Sequence, residues 1–328
     1  MSTLVSIIIP VYNAGKVIRR CIDSLLVQTF TDFQIIVVND GSTDNSEEIC
    51  REYEQNNAKI KLISIPNSGV GTARNIGIDA AEGKYVGFID ADDYVHKEYV
   101  EKLVSLYENN DVHMAICGFM EIWGEKIVFE TSGDKTYLDC NKAQTLLLKE
   151  NYYRGYVWNK LFERTIIQKH HLRFDENIAI WEDVQFVFRY MNIVDKIVYD
   201  PKPMYYYMFS ANSSSNLENN NKALSKAYSV IKAQKSIEQE IPKQNTEALH
   251  ELHMREMSDA LGLMRIIGIT NVKCESEEYK ECVKLIRKLL KETYGNLHKK
   301  ERLVALFATI CPRLLVSLYR IHYNRKNM

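Results

Sequence analysis

Apolar and polar positions alternate in blocks along the first hundred residues of the chain. Leu4–Pro10 is a short continuous apolar run, typical of a strand covered on both faces, and Gln34–Asp40 is predicted as a second buried strand. Ile60–Pro66 and Lys84–Asp90 are predicted as the third and fourth strands. Segments with helical periodicity separate these runs, beginning with an amphipathic helix predicted over residues 15–28. This β-α-β-α-β-α-β order predicts a mostly parallel α/β sheet flanked by helices.

The pattern becomes less regular after residue 110. Further strands are predicted at "VHMAICGFMEI", "EKIVFE" and "KIVYDPKPMYYYM", and helices near 141–150, 163–170 and 182–193. The polar stretch Ser210–Asn221 is the best linker candidate, and helical periodicity follows it. We therefore expect an α/β domain at 1–215, with halves at 1–110 and 111–215, and a C-terminal α-helical region at 216–328.

Composition excludes several classes of protein. The 328 residues carry a formal net charge of -1, so no overall positive field attracts nucleic acid. The seven cysteines form no C-x-x-C pair, which favours scattered thiols in a reducing cytoplasm over a disulfide framework or a zinc site. The first apolar run lacks the flanks of a signal peptide, and no stretch has the apolar length of a spanning helix. We expect a cytoplasmic protein.

Two predicted strands end in carboxylates, at Asp40 and at Asp90. Ligands of open α/β sheets bind beyond these strand ends, where an acidic residue can bind a nucleotide or a divalent cation. Asp92 and Asp93 follow Asp90 closely, and such like charges repel unless a cation or hydrogen bonds compensate them. The alternative is that these residues serve only as caps or turn residues.

The glycine pattern argues against two common nucleotide-binding classes. A dinucleotide-binding fold needs G-x-G-x-x-G after the first strand, where this chain has "PVYNAGK". The later "GVGTARNIG" places Arg74 where the third glycine would stand, and no P-loop sequence occurs.

Four segments, "VSIIIPVYN", "VVNDGSTDNS", "NSGVGTARNIGI" and "GKYVGFIDADD", occur in an order and at a spacing that resemble the family 2 glycosyltransferases. The resemblance is strong over roughly the first hundred residues and looser to about residue 210, through "WNKLF", "WEDVQF" and "YYYMFSANSSS". It implies the GT-A (Rossmann-like) fold, which has a mostly parallel sheet with a small antiparallel part. It also implies a nucleotide-sugar donor, most often a UDP-sugar, with Mn²⁺ or Mg²⁺ as cofactor.

The resemblance also implies roles for individual residues of the donor site. The nucleotide-sugar pocket is matched by Pro10, Tyr12, Asn13, Asp40, Gly69, Arg74, Asp90 and Asp92. Asp40 matches the residue that holds the base, and Asp90 and Asp92 match the D-x-D pair. Asp92 is the expected metal ligand, and Asp93 is a second candidate. Plain packing is the alternative for Tyr12 and for Asn75, which lies in the same segment as Arg74.

Transfer with inversion needs a carboxylate that takes the proton of the acceptor hydroxyl. In the family this is the Asp of an E-D pair that opens a helix, so the resemblance implies Asp183 as the base and Glu182 as its support. The alternative is a helix N-terminus, where the macrodipole favours acidic residues. Trp158, Lys160 and Trp181 are expected on the acceptor side; for Trp158, core packing is an equal alternative.

Residues 297–328 form an apolar segment with seven Lys or Arg residues and one acid, Glu301. This composition predicts an interfacial segment at an anionic membrane surface. The alternative is a helical pair that packs on its own domain or on another subunit.

The resemblance and the residues together predict an inverting, metal-dependent glycosyltransferase. It would move a hexose or N-acetylhexosamine from a UDP-sugar to a glycan or polyprenyl-linked oligosaccharide in cell-surface polysaccharide synthesis. A nucleotidyltransferase and a nucleotide-sugar-binding module without turnover are the alternatives; Asp92 and Asp183 argue against the module. Nucleic acid is not an expected partner. The sugar, the acceptor and the oligomeric state, including a homo-oligomer, are left open.

Overall fold

A computed structural model describes residues 3–108, 111–178, 180–209, 223–270, 273–274 and 276–326, except for the side chain at position 326. The chain divides into two compact units, Met1–Ala211 and Asn212–Met328. A sheet with flanking helices forms the first unit, and helices form the second. The linker predicted at Ser210–Asn221 lies outside the described residues, so the boundary at 215 stays a prediction.

Within the described ranges, the first unit is built on one ten-stranded sheet. Its strands are β1 (Val5–Val11), β2 (Phe33–Asp40), β3 (Ile60–Ile65), β4 (Tyr85–Phe88), β5 (Tyr94–Val95), β6 (Met114–Trp123), β7 (Lys126–Glu130), β8 (Thr136–Leu138), β9 (Lys160–Glu163) and β10 (Ile197–Phe209). Its helices are α1 (Ile18–Leu26), α2 (Ser46–Asn56), α3 (Val70–Ala80), α4 (Tyr99–Ser105), α5 (Cys140–Leu148), α6 (Arg164–Lys169) and α7 (Glu182–Met191).

The four apolar runs predicted as strands form the parallel part of the sheet, in the order β3-β2-β1-β4. Ile7 of β1 pairs with Ile35 of β2 on one side and Gly87 of β4 on the other. Both faces of β1 are buried, which explains its continuous apolar sequence. Parallel pairing places the carboxyl ends of β2 and β4, and so Asp40 and Asp90, at one edge of the sheet.

The rest of the sheet is mixed, in the order β9-β6-β10-β5 after β4. Strand β9 lies antiparallel to both β4 and β6, whereas β10 runs parallel to β6. Strand β10 continues through Pro201 and Pro203. Its pairing with β6 shifts register there, because proline cannot donate a hydrogen bond to a neighbouring strand.

The second unit consists of helices α8 (Ala223–Glu240), α9 (Thr246–Ile269), α10 (Glu277–Thr293), α11 (Lys299–Ile310) and α12 (Pro312–Lys326). The apolar stripes predicted from the sequence supply its core, which includes Ile231, Met264 and Ile286. Helix α12 packs closely on α9: a Cβ added to Gly268 would lie 2.7 Å from Cβ of Tyr319.

The C-terminal helices α11 and α12 have two different faces. One face is buried in the core of the second unit and contains Ala305, Ala308, Leu315 and Val316. This burial agrees with the alternative prediction, a helical pair that packs on its own domain. The opposite face exposes Leu303, Ile310, Leu314, Leu318, Ile321 and Tyr323. Among the described residues, no helix combines the length and apolarity needed to cross a bilayer.

Candidate active site

The acidic turn after β4 is attached to β10 by Tyr205. The Tyr205 hydroxyl donates to Oδ2 of Asp93 at 2.6 Å and accepts from the backbone N–H of Asp90 at 3.2 Å. Oδ1 of Asp93 accepts from the backbone N–H of Met208 at 2.7 Å. These three hydrogen bonds hold the turn in one conformation at the edge of the sheet.

The contacts of Asp93 are those of a structural residue and argue against a second metal ligand at this position, so that role stays a prediction. Its side chain is fully buried, and both carboxylate oxygens face hydrogen-bond donors of β10. Burial, followed by the negative charges of Asp92 and Asp90, raises the pKa of Asp93 well above its usual range. A cation at this position would have to displace both donors.

Asp92, in contrast, is exposed. The surrounding protein limits hydration of its carboxylate and the negative charge of Asp90 lies close by, so its pKa is raised. No other residue within the described ranges donates a hydrogen bond to this carboxylate. Mg²⁺ and Mn²⁺ prefer oxygen ligands, and the Asp92 carboxylate lies beside a second carboxylate, that of Asp90. The chemistry of the turn therefore fits a divalent cation.

Asp40, at the end of β2, fixes the loop that leads into α3. Its Oδ1 accepts from the backbone N–H of Ser68 at 2.6 Å, and its Oδ2 from that of Gly69 at 2.9 Å. Gly69 has a φ of 94°, a backbone conformation that favours glycine. Each carboxylate oxygen keeps a second lone pair, so these bonds leave Asp40 able to accept from a ligand.

The predicted start of the nucleotide pocket is a loop between β1 and α1. Asn13 bridges to the loop after β2, since its Oδ1 accepts from the backbone N–H of Thr43 at 2.8 Å. Pro10 lies within β1, where it pairs with Val38. Tyr12 is 53% exposed, which is unusual for a large aromatic residue and argues against the packing alternative.

Arg74 joins the acidic turn to the start of α7. Its Nη2 lies 3.0 Å from Oδ1 of Asp90, and its Nη1 lies 2.6 Å from Oε1 of Glu182. Burial alone would lower the pKa of the guanidinium, but the charges of Asp90 and Glu182 outweigh that effect and raise it. Three of the predicted site residues, far apart in sequence, thus form one buried ion-pair network.

The E-D pair opens α7, as predicted. Glu182 is buried, and burial raises its pKa against the opposing charge of Arg74. Asp183 is half-buried; burial and then the charge of Glu182 raise its pKa to about 7. A helix dipole acting alone would lower both pKa values, so the environment here exceeds what a helix N-terminus provides.

Trp158 and Lys160 are buried, which argues against the expected place on the acceptor side, and that role stays a prediction. The Trp158 ring stacks on Tyr205 with a centroid distance of 4.1 Å and is 1% exposed, which supports the core-packing alternative. The Lys160 ammonium donates to the carbonyl oxygens of Arg154 and Tyr156 and to Oδ1 of Asn159. These bonds occupy the hydrogens of the amino group, and burial lowers its pKa to about 7 against the charge of Asp183, which raises it.

Two further predicted residues have less decisive positions. Trp181 precedes α7 with a φ of 75° and is partly exposed, so its acceptor role stays a prediction. Asn75 pairs with the backbone of Phe174 through both its amide oxygen and its amide nitrogen, at 2.9 and 3.0 Å. This arrangement supports the packing alternative for Asn75.

The sequence analysis missed Tyr205, which orders the acidic turn, and Arg20, which donates to the backbone carbonyl of Asp92. Tyr205 lies in a run of three tyrosines, and nothing in that run marks one hydroxyl as buried. Arg20 lies on the polar side of α1, where an arginine is ordinary. Neither residue carries a local sequence signal.

The profile of a family described as "Glycosyl transferase family 2" matches residues 6–170 of the chain. The "Uncharacterized glycosyltransferase EpsJ" of Bacillus subtilis (strain 168) is 37% identical over 225 residues, which are 65% of this chain and 63% of EpsJ. The chain therefore spans less than two thirds of the length of this relative.

Two solved structures resemble the fold. Staphylococcus aureus TarS 1-349 in complex with UDP-GlcNAc has a TM-score of 0.72 at 18% identity, covering 98% of this chain and 92% of TarS 1-349. Mannosyltransferase PcManGT from Pyrobaculum calidifontis, with GDP-Man and Mn²⁺, has a TM-score of 0.58 at 12% identity, covering 98% and 88%. At these identities the similarity concerns the fold alone, and it confirms the predicted fold class.

Proposed function

Since the chain belongs to glycosyl transferase family 2, we propose that it is an inverting, metal-dependent glycosyltransferase. Its donor is a UDP-sugar carrying a hexose or N-acetylhexosamine. Its acceptor is a hydroxyl of a glycan or of a polyprenyl-linked oligosaccharide in cell-surface polysaccharide synthesis.

One observation carries the proposal: Arg74 joins Asp90 of the acidic turn to Glu182 beside Asp183. A transferase has to bring the donor diphosphate close to the base that deprotonates the acceptor. The ion-pair network joins the two distant segments that would hold them. A nucleotide-binding module without turnover has no need of a carboxylate with a raised pKa at that place.

Asp183 is the proposed base. A pKa of about 7 lets a carboxylate be ionised at neutral pH and still accept a proton from the acceptor hydroxyl as it attacks. Glu182 acts through Asp183, since its negative charge helps to raise the pKa of the base. Arg74 holds Glu182 in place and limits the repulsion between these carboxylates.

Asp92, with Asp90 beside it, would hold Mn²⁺ or Mg²⁺. When bound, the cation offsets the charge that develops on the leaving diphosphate. PcManGT was solved with Mn²⁺, and TarS with UDP-GlcNAc, which supports this choice of cofactor and donor class. Tyr12 and the loop fixed by Asp40 would contact the nucleoside.

The experiment that tests the function is UDP release from a panel of UDP-sugars, with and without glycan acceptors. We expect release to require a divalent cation and to increase with acceptor for at least one donor. Release of sugar 1-phosphate in place of UDP would indicate a nucleotidyltransferase, because transfer of the uridylyl group leaves the phosphate on the sugar. Binding of UDP-sugars without any release would indicate a binding module.

We further propose that the exposed face of α11 and α12 binds an anionic membrane surface, at the cytoplasmic side where a polyprenyl-linked acceptor would lie. Leu314, Leu318 and Ile321 recur at helical spacing and are about half exposed. Residues 297–328 contain seven basic residues and one acid, which complements anionic headgroups. The inner face of the same helices is buried in the second unit, so docking needs no unfolding.

A further inference from the structure

Three potential metal ligands meet in the second unit, apart from the acidic turn of the first. Glu238 of α8 and His253 and Glu256 of α9 each offer one ligand atom, and these atoms lie within 4.8 Å of one another. His253 and Glu256 are three residues apart and so share one face of α9. The cluster therefore contains a ring nitrogen as well as carboxylates.

The carboxylate of Glu256 is buried without hydrogen-bond partners in the described part of the chain. It is 0% exposed, and neither of its carboxylate oxygens has a hydrogen-bond partner within the described ranges. Burial, followed by the negative charge of Glu238, raises its pKa to about 7. Buried polar groups are almost always paired, and an unpaired carboxylate is costly, so this position calls for a cation.

His253 is held in the orientation of a metal ligand. Its Nδ1 lies 2.7 Å from Oε2 of Glu292 on α10, and its Nε2 lies 3.3 Å from Oε1 of Glu238. A hydrogen on Nδ1 donated to Glu292 leaves the Nε2 lone pair facing the cluster. Metal-bound histidines commonly have this arrangement, in which a carboxylate orients the ring from the far side.

The charges around the cluster also favour a cation. The negative groups near the cluster are the carboxylates of Glu238, Glu256, Asp259 and Glu292, and the positive groups are the ammonium groups of Lys235 and Lys288. Nζ of Lys288 lies 2.8 Å from Oε1 of Glu238. Lys288 contacts only one of the three predicted ligands in the described hydrogen bonds, and Glu256 is left without a donor.

We propose that Glu238, His253 and Glu256 form a binding site for a divalent transition-metal ion, with Zn²⁺ as the best match. Zn²⁺ accepts imidazole nitrogen and carboxylate oxygen together, whereas Mg²⁺ and Ca²⁺ prefer oxygen ligands alone. Three protein ligands leave a fourth position for water. The ion would link α8 to α9 and, through the bond from His253 to Glu292, to α10.

The test is calorimetric titration of the chelator-treated, full-length protein with Zn²⁺, alongside its thermal unfolding. We expect one equivalent to bind and to raise Tm, since the ligand sites are preformed only in the folded state. Asp92→Asn removes the metal ligand proposed for the donor site and should still bind one equivalent of Zn²⁺. This result would separate the Zn²⁺ site of the second unit from the proposed function. Substitution of Co²⁺ should give an absorption spectrum that responds to changes at His253.

Glu256→Gln should weaken Zn²⁺ binding roughly tenfold or more, since even residues that only orient metal ligands have effects of that size. The fold should tolerate this change, because the amide removes a buried charge without changing the shape of the side chain. Glu247→Gln, an exposed residue of the same helix, is the matched control and should bind Zn²⁺ normally. Equal affinity in Glu256→Gln and the unaltered protein, or no Zn²⁺-dependent rise in Tm, would show an ion-pair cluster and overturn the proposal.

Discussion

Asp92 and Asp93 are sequence neighbours with opposite environments. Asp92 is exposed and lacks a donor from any other described residue, whereas Asp93 is buried and bonded to Tyr205 and Met208. The sequence indicated both residues as metal ligands. In a turn, neighbouring side chains can face opposite directions, and the composition of the turn does not show which of them faces the core.

We predict that Asp92→Asn weakens the Mn²⁺-dependent part of UDP binding roughly tenfold or more, as expected when a direct ligand is lost. Asp93→Asn should keep that dependence and instead lose about 1–3 kcal/mol of stability, because the amide keeps only one of the two oxygens that accept from Tyr205 and Met208. Titration of both variants with UDP, with and without Mn²⁺, makes the comparison. The opposite assignment of effects would show that Asp93 is the ligand.

The raised pKa of Asp183 predicts a pH dependence. A base works only when ionised, so kcat/KM should rise with pH through about 7 and then level off. Glu182→Gln removes the neighbouring negative charge that raises this pKa, and should move the midpoint to lower pH. A pH-rate profile of both proteins measures this, and a profile that is flat between about pH 5 and 8 in the unaltered enzyme would contradict it.

Between elements, the buried ion pairs of Arg74 connect α3 to the end of β4 and the start of α7. We predict that Arg74→Met lowers the free energy of unfolding by about 3–5 kcal/mol, because two carboxylates lose their counter-ion in a buried place. The double variant Arg74→Met/Glu182→Gln should recover part of this loss. Urea denaturation provides the measurement.

Arg173→Met is the control for that prediction. Arg173 pairs with Asp79 at 2.6 Å, but both side chains are largely exposed, so the loss should be no more than about 1 kcal/mol. Equal losses in the two arginine variants would mean that the Arg74 network does not stabilise the fold.

The sequence predicted the parallel strands well. Strands β1, β2 and β4 are buried on both faces, whereas β3 is only partly buried and exposes Lys61 and Ser64. It did not predict β9 as a strand. The segment "WNKLF" contains a lysine and an asparagine, which suggest a surface, but both are fully buried and bonded to carbonyl or amide oxygens. Only the tertiary structure supplies those partners.

The same limit applies to the candidate site. The motifs indicated Asp90, Asp92, Glu182 and Asp183, because their spacing is a property of the sequence itself. Arg74 bridges Asp90 and Glu182, and Tyr205 anchors the acidic turn. Both roles depend on contacts between segments about a hundred residues apart. Periodicity and composition carry no information at that separation.

At the scale of the molecule, the second unit has both a buried core and an exposed apolar face on α12. We predict that the triple variant Leu314→Ser/Leu318→Ser/Ile321→Ser loses sedimentation with phosphatidylglycerol vesicles and keeps its fold, since these side chains are exposed. Binding of the unaltered protein should weaken with salt, because the basic residues contribute electrostatically.

The matched control is Ile127→Ser/Val128→Ser, which removes exposed apolar side chains from β7 in the first unit. It should sediment with vesicles as the unaltered protein does. If the α12 triple variant also sediments normally, or if it changes the oligomeric state without affecting vesicles, the exposed face serves a protein contact instead.

The central claim is that Asp183 is the base of a UDP-sugar transferase, and its most direct test is the rate of UDP release by Asp183→Asn with Mn²⁺, donor and acceptor. The account predicts a fall of about 10²–10⁴-fold, the usual contribution of a general base, with UDP binding unchanged. Asp134→Asn, a change at an exposed aspartate, should keep the full rate. A folded Asp183→Asn protein that releases UDP as fast as the unaltered enzyme would contradict the account.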